Sequence, residues 1–234
     1  GSKVISITST VSGEGKTFVG INLAGIIAYS GKKVIVLDLD MRKPKIHKAF
    51  SDENNIIPNG KGMSDILSGI ETFQSCIQKS RIDNIDFITA GTIPPNPSEL
   101  ILSNAMDTLL DNLKKEYDFI IIDNPPIGLV TDAMKNLQRA NFPIYVFKSN
   151  YSKRFYIANL DFLYTDCNIK NISLILNGFD FSNIYGGKYG SKKGYGKYST
   201  YGYGYGYGYG YYEDLENEFT HKTKKKKFSL FSKK

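Results

Sequence analysis

Short apolar runs alternate with amphipathic stretches over the first three quarters of the chain. A short continuous apolar run bounded by polar or turn residues is typical of a buried strand, whereas apolar residues spaced three and four apart indicate a helix. On this basis we predict strands over residues 3–8, 33–37, 85–89, 117–122, 144–147 and 172–176. We predict helices over residues 17–29, 63–70, 97–115 with an internal break, 131–139 and 154–164.

This alternation predicts an α/β fold. Strands that are apolar along their whole length and alternate with helices form βαβ units, which build a mainly parallel, doubly wound sheet with helices on both faces. In such sheets the ligand binds beyond the carboxyl ends of the strands. Three polar segments that follow predicted strands, at residues 13–17, 38–40 and 123, are therefore expected along one edge.

The chain changes in composition after residue 181. Residues 1–181 carry 19 Lys and Arg against 19 Asp and Glu, so the predicted domain is neutral. The net charge of +7 arises in residues 182–234, which hold 11 lysines and four acidic residues. A neutral domain does not indicate a nucleic-acid-binding face, and we expect no nucleic-acid partner. No apolar stretch reaches about 18 residues, so no membrane-spanning helix is predicted.

Residues 182–212 form a tract rich in glycine, tyrosine and lysine. Glycine loses much conformational entropy on ordering, and its alternation with tyrosine leaves no face to bury, so we predict a flexible tail without a core. Eleven of the 17 tyrosines lie in this tract: Tyr185, Tyr189, Tyr195, Tyr198, Tyr201, Tyr203, Tyr205, Tyr207, Tyr209, Tyr211 and Tyr212. The acidic-then-basic extension 213–234 follows, and its end fits either a solvated basic segment or a weak anchor for anionic lipids.

The segment TVSGEGKT, from Thr10 to Thr17, predicts a phosphate-binding loop (P-loop). Glycines let successive backbone N–H groups point at phosphate oxygens, and the helix that follows adds its positive end. Lys16 would neutralise phosphate charge, and the Thr17 hydroxyl would bind Mg²⁺. Thr10 occupies the place of the usual first glycine, but the preceding strand and following helix support the assignment. We therefore predict an ATP and Mg²⁺ site formed by Ser12, Gly13, Glu14, Gly15, Lys16 and Thr17.

Two further segments bring carboxylates to the same edge. Asp38 and Asp40 follow the second predicted strand, and both can face the cleft if that strand ends between them. One is then expected to hold Mg²⁺ or its water, and the other to take a proton from an incoming hydroxyl. Asp123 directly follows the apolar run 117–122 and is predicted to be a further metal-holding carboxylate.

These segments, in this order, resemble the bacterial tyrosine kinases of capsule and exopolysaccharide synthesis. The resemblance rests on residues 8–17 (TSTVSGEGKT), 34–44 (VIVLDLDMRKP) and 120–126 (IIIDNPP), and is extended by residues 62–69 (GMSDILSG), 94–100 (PPNPSEL), 130–133 (VTDA) and 176–177 (LN). Two positions depart from the family pattern: Ser12 stands where the family has proline, and Asn124 where it has Ser or Thr.

The resemblance implies a P-loop NTPase-like fold and a Mg²⁺- and ATP-dependent kinase that phosphorylates tail tyrosines of neighbouring copies. It assigns catalysis to Lys16, Asp38 and Asp40, nucleotide binding to Arg42 beside the loop, and metal binding to Thr17, Asp38, Asp40 and Asp123. It implies control of polysaccharide polymerisation and export at the cytoplasmic face of the bacterial inner membrane. The expected partners are further copies in a ring, a membrane activator region, the export machinery and a tyrosine phosphatase.

Two other functions fit parts of the sequence. A nucleotide-switched ATPase of the plasmid-partition or division-site type would share the fold, but such proteins carry a second lysine early in the loop, and residues 10–12 contain none. A pseudoenzyme would use the tail as a scaffold for another kinase, and the intact Lys16, Asp38, Asp40 and Asp123 count against it. The tail alone also fits an association tract that is not a substrate.

Overall fold

The computed structural model of the protein describes residues 1–44, 46, 60–128 and 132–180. The predicted acceptor tyrosines and the C-terminal extension lie outside these residues. The strands in the described part are β1 (Lys3–Ser9), β2 (Val34–Asp38), β3 (Gln78–Lys79), β4 (Ile85–Ile88), β5 (Phe119–Asp123), β6 (Phe142–Lys148) and β7 (Ser173–Asn177). The α-helices are α1 (Lys16–Tyr29), α2 (Met63–Leu67), α3 (Phe73–Cys76), α4 (Pro97–Leu102), α5 (Asn104–Leu113), α6 (Asp132–Arg139) and α7 (Ala158–Thr165).

The seven strands form one sheet in the order β3-β4-β2-β5-β1-β6-β7. All neighbouring pairs are parallel except β3 with β4, which is antiparallel. Side chains from opposite faces of the strands enter two separate clusters, one including Ile35 and Ile120 and the other Val36 and Ile121. Burial on both faces explains why the central strands are apolar without alternation. The predicted doubly wound α/β fold is confirmed.

The predicted elements agree with the structure to within a few residues, apart from the start of the stretch 154–164 and two very short elements. The stretch 97–115 breaks at Ser103 into α4 and α5, as predicted. The stretch 154–164 is not one α-helix, because it begins with a 3₁₀ turn (Arg154–Ile157) before α7. Helix α3 and strand β3 were not predicted, since elements of four and two residues are too short to show a period.

Helix α1 carries apolar residues around most of its circumference. It follows Gly15 and ends before Gly31, whose φ of 80° is the left-handed conformation expected just past a helix. Within the described ranges, none of the helices combines the length and the apolar character needed to cross a bilayer.

Candidate nucleotide and metal site

The candidate site lies at the carboxyl edge of the three central strands. β1 runs into the phosphate-binding loop, β2 ends at Asp38, and β5 ends at Asp123. Asp38 and Asp123 are direct register partners in the parallel pair β2–β5, and Ile7 of β1 pairs with Asp123 from the other side. The sheet therefore brings the three predicted segments together, as the position of ligands in doubly wound folds requires.

Lys16 lies at the centre of this edge and is buried. Its Nζ donates to Asp40 Oδ2 at 3.1 Å and to Asp123 Oδ1 at 3.3 Å, and the three side chains are 7%, 7% and 2% exposed. Burial alone would lower the pKa of Lys16, but the charges of Asp123 and Asp40 outweigh it and raise the pKa above its usual value. Lys16 is therefore an ammonium ion at neutral pH.

Asp123 and Thr17 form the second contact of the site. The Thr17 hydroxyl donates to Asp123 Oδ2 at 2.6 Å, so both carboxylate oxygens of Asp123 have partners. Burial raises the pKa of Asp123, against the opposing effects of the Lys16 charge and the hydrogen bonds from Thr17 and Lys16. Two carboxylates facing one ammonium ion leave an excess of negative charge, which an added cation would offset.

The donor set fits Mg²⁺ bound together with a nucleotide. A hydroxyl and carboxylates are oxygen ligands of the type Mg²⁺ prefers, and Mg²⁺ commonly keeps several waters and uses substrate phosphates. In the part of the chain that the structure describes, no group of three His, Cys, Asp or Glu side chains could hold a metal ion. A metal at this edge would therefore depend on Thr17, Asp123, water and phosphate oxygens together.

The two aspartates of the second segment have different surroundings. β2 ends between them, which was the condition for both to face the cleft. Asp40 shares the cleft with Lys16, and its Oδ1 accepts the backbone N–H of Lys43 at 3.2 Å. Asp38 is fully buried, and its two oxygens accept the backbone N–H groups of Asp40 and Ile46, each at 3.1 Å. Asp38 thus shapes the loop after β2, while its charge helps to raise the pKa of Lys16.

Arg42 lies at the rim of the same loop. Its exposed guanidinium donates to Ser98 Oγ at 3.1 Å, so it joins the loop after β2 to the start of α4. Within the described residues, Arg42 makes no hydrogen bond with Lys16 or Asp123.

The phosphate loop has the backbone shape that its sequence predicts. Gly13 and Gly15 have φ of 96° and 95°, in the left-handed region where only glycine is unstrained. A Cβ atom added to Gly15 would lie 2.0 Å from Asn177 Nδ2, and one on Gly13 would lie 2.9 Å from the Tyr151 hydroxyl oxygen. Backbone conformation therefore favours glycine at both positions, and a Cβ atom at either one would also displace the end of a neighbouring side chain.

The neighbours that brace this loop come from β6, β7 and the segment after β6, and sequence analysis did not predict them. Tyr151 donates its hydroxyl to Ser12 O at 2.9 Å, and Asn177 Nδ2 donates to Glu14 O at 3.1 Å. The carboxylate of Glu14 is fully buried and accepts the backbone N–H of Val11 at 2.8 Å and the Ser152 hydroxyl. The side chain of Glu14 thus stabilises the loop from within. Its predicted contact with nucleotide would be made by its backbone N–H, as for the other loop residues.

A buried pair of hydroxyls completes this bracing. Tyr145 lies within the core on β6, and its hydroxyl is 2.7 Å from Thr10 Oγ1. Burial raises the pKa of Tyr145, so the phenol is neutral and able to share a proton with Thr10. The polar residues Tyr145 in β6 and Asn177 in β7 could be read from the sequence, but their pairing with loop residues more than 130 positions away could not.

With this geometry in place, comparison with known proteins identifies the family. The sequence model of the AAA domain family matches residues 2–153. The tyrosine-protein kinase YwqD of Bacillus subtilis (strain 168) is 35% identical over 191 residues, which cover 81% of this chain and 78% of YwqD. The chain belongs to the bacterial tyrosine-protein kinase family.

Two further comparisons agree with this assignment. The tyrosine-protein kinase Wzc of Salmonella typhi is 42% identical over 130 residues, which cover 56% of this chain but only 17% of Wzc. The kinase domain of the Escherichia coli tyrosine kinase ETK has the same fold, with a TM-score of 0.69 and 32% identity over 76% of this chain and 68% of that domain.

The alternative of a division-site ATPase is supported only by a similarity of fold. The septum site-determining protein MinD of Pyrococcus horikoshii, solved with Mg-ADP, has a TM-score of 0.61 over 75% of this chain and 70% of MinD. Its identity is 23%, so this likeness shows a common fold and the kinase relatives carry the family assignment.

Proposed function

We propose that the protein is an ATP-dependent protein-tyrosine kinase whose substrates are the tyrosines of its own C-terminal tract. The observation that carries the proposal is the contact of Lys16 Nζ with Asp40 and Asp123 beside a glycine-shaped phosphate loop. Phosphoryl transfer depends mainly on positioning and on neutralising charge, and these residues supply both. Family membership supports this function over a nucleotide-switched ATPase.

In the proposed reaction the tyrosine oxygen forms a bond to the γ-phosphorus as the bond from that phosphorus to ADP breaks. Lys16 balances phosphate charge, and the carboxylate of Asp40 takes the phenolic proton, since it faces the cleft and contacts Lys16. Asp38 supports Asp40 through the latter's backbone N–H. Mg²⁺, when bound by Thr17 and Asp123 with Asp38 or Asp40 nearby, would neutralise charge on the transferring phosphate.

The tail is proposed to be phosphorylated by a neighbouring copy. Residues 182–234 carry a net charge of +7, and each phosphotyrosine adds about −1.5 to −2 charges, so about four phosphates would neutralise the segment. Such a change in charge suits a segment that regulates assembly. We propose that copies associate in a ring, that tail phosphorylation regulates capsular or exopolysaccharide polymerisation and export, and that a tyrosine phosphatase reverses it.

The site of action is proposed to be the cytoplasmic face of the bacterial inner membrane. The match to Wzc covers only 17% of that protein, so this relative carries most of its length outside the matched region. We propose that a membrane activator region, in the same chain or in a separate protein, contacts the kinase and links it to the export machinery.

The test is intact mass spectrometry before and after incubation with Mg²⁺ and ATP. The wild type is compared with Lys16→Met and with Lys43→Met, a matched control that removes an exposed lysine from the same edge. A ladder of added phosphoryl groups is expected in the wild type and in Lys43→Met, mapping to tyrosines between Tyr185 and Tyr212. Lys16→Met, checked for folding by circular dichroism, is expected to give none.

A second arm tests transfer between copies. Lys16→Met chains with intact tyrosines are mixed with active chains whose eleven tail tyrosines are replaced by phenylalanine. Phosphate on the Lys16→Met chain supports transfer between copies. ATP hydrolysis without any phosphotyrosine, with or without an added membrane activator, would favour the nucleotide-switch function instead.

A further inference from the structure

Two buried asparagines lie directly behind the metal-site carboxylate of Asp123. Asn124 is the residue after β5, and Asn136 is on α6; both are fully buried. Asn136 Nδ2 donates to Asn124 Oδ1 at 2.8 Å. Buried amides of this kind are costly unless every group is paired, so their partners define what the pair does.

The inner end of the pair is attached to β1. Asn124 Nδ2 donates to Ser6 Oγ at 2.8 Å and to Ile7 O at 3.0 Å, and the backbone N–H of Asn124 donates to the same carbonyl at 3.0 Å. Ile7 is also the register partner of Asp123. Asn124 therefore holds the end of β5 against β1 through both its backbone and its side chain.

The outer end of the pair is attached to α4 and α5 through Arg139. Arg139 Nη1 donates to Asn136 Oδ1 and to Ile101 O, each at 3.0 Å, and Nη2 donates to Ser103 O at 3.3 Å. The same guanidinium forms two bonds with Asp107, at 2.6 and 2.8 Å. A continuous chain of hydrogen bonds thus runs from the α4–α5 break to the residue beside Asp123.

The chemistry at the two ends allows only one orientation of both amides. Arginine is only a donor, so Asn136 must turn its oxygen to Arg139 and its NH₂ to Asn124. A backbone carbonyl is only an acceptor, so Asn124 must turn its NH₂ to Ile7 O and its oxygen to Asn136. A serine at position 124, as in the family pattern, has one proton and a shorter reach and cannot span the same gap.

We propose that Asn124 and Asn136 are a positioning pair that holds Asp123 for Mg²⁺ when nucleotide is bound. The inference rests on the proposed function. The Asp123 side chain contacts Lys16 and Thr17 in the described part of the chain. Both of these side chains are expected to turn to phosphate and metal when nucleotide is bound. The backbone at position 123 is held on its two sides by β1 and β2, and its carbonyl accepts the N–H of Leu39 at 2.9 Å. The pair adds a side-chain link from the next residue of the chain to β1 and to α6. Removing the hydrogen-bond partners of metal ligands commonly lowers metal affinity by about 10- to 100-fold.

The experiment measures the affinity of a fluorescent ATP analogue with Mg²⁺ and with EDTA. Asn136→Asp keeps the oxygen that faces Arg139 but replaces the NH₂ that faces Asn124. The gain in affinity from Mg²⁺ is expected to fall about tenfold in this variant, while the affinity in EDTA stays that of the wild type. Asn104→Asp makes the same change at an exposed residue of α5, and Asp107→Asn weakens only the outer contact, with Arg139. Both are expected to keep the full gain.

A double-mutant cycle keeps the test valid if the buried aspartate prevents folding. Asn124→Ser and Asn136→Ser are each expected to lose about tenfold of the gain from Mg²⁺, and the double variant the same, because the two side chains act as one unit. An equal loss of affinity with and without Mg²⁺, or an unchanged gain, would overturn the inference. If the wild type itself binds no nucleotide, the proposed function fails instead.

Discussion

Removing the Lys16 ammonium is expected to destabilise the protein without nucleotide as well as abolish activity. Lys16 is buried and is the cation that contacts both Asp40 and Asp123. In Lys16→Met two buried carboxylates lose their cationic partner and keep only the hydrogen bonds from Thr17 and from the Lys43 N–H, and the methionine side chain offers no donor in return. Breaking a buried ion pair in this way costs about 3–5 kcal/mol.

The size of this loss can be measured against typical stabilities. Domains are commonly stable by about 5–15 kcal/mol, and with a urea m-value of about 2 kcal/mol/M the midpoint would fall by about 2 M.

The loss of stability in Lys16→Met also depends on pH. Without Lys16, burial raises the pKa of Asp123 against only the hydrogen bond from Thr17, so the folded state binds protons more readily than the unfolded state. Stability of the variant therefore rises as pH falls from 7 through that raised pKa.

In the wild type the corresponding loss of stability with rising pH should occur only at high pH. The pKa of Lys16 is raised in the folded state, so its stabilising effect is complete below the unfolded pKa of about 10.4 and is lost as pH rises through the folded pKa. The assay is urea unfolding of the wild type, Lys16→Met and Lys43→Met from pH 5 to about 12, a range that extends above the unfolded pKa of lysine, followed by circular dichroism. Lys16→Met/Asp123→Asn is expected to recover part of the loss. A Lys16→Met variant within about 1 kcal/mol of the wild type at pH 7 would refute the reasoning.

Three further predictions follow from the loop and from α5. Gly15→Ala should lower the free energy of unfolding by at least about 1–2 kcal/mol, because alanine is strained in the left-handed region, and should weaken nucleotide binding. In urea unfolding, adding Asn177→Ala should relieve the 2.0 Å clash but not the backbone strain. Tyr145→Phe should lower the free energy of unfolding by about 1–3 kcal/mol, because it leaves the buried Thr10 hydroxyl unpaired. Tyr145→Phe with Thr10→Val should be closer to the wild type in stability, and additive losses of stability in thermal melts would contradict this. Asp107→Asn should cost under about 1 kcal/mol at pH 7, because the carboxylate is half exposed. The hydrogen bond from Arg139 lowers the pKa of Asp107, so this difference should vanish as pH falls below about 3.9 through the folded pKa; a gap that persists in acid would refute the assignment.

Local patterns in the sequence were sufficient to predict the architecture and the edge of the sheet at which the main candidate residues lie. Apolar strands, helical spacing and the glycines of the phosphate loop are encoded within a few neighbouring positions, so their elements were predicted to within a few residues. Asp38, Asp40 and Asp123 were placed correctly at one edge, because parallel strands bring their carboxyl ends together whatever their order. The very short α3 and β3, and the 3₁₀ start of the segment before α7, left no periodic signal to read.

Only the tertiary structure decided which side chains meet across the sheet. The order β3-β4-β2-β5-β1-β6-β7 places the ends of β6 and β7 beside the phosphate loop, so Ser152 contacts Glu14 across 138 positions and Asn177 contacts the same residue across 163. The orientation of Asn124 and Asn136 likewise depends on Arg139 and on a β1 carbonyl, which lie far apart in the chain. A buried polar group must find a partner wherever the fold provides one, and that partner is set by packing in three dimensions and not by spacing along the chain.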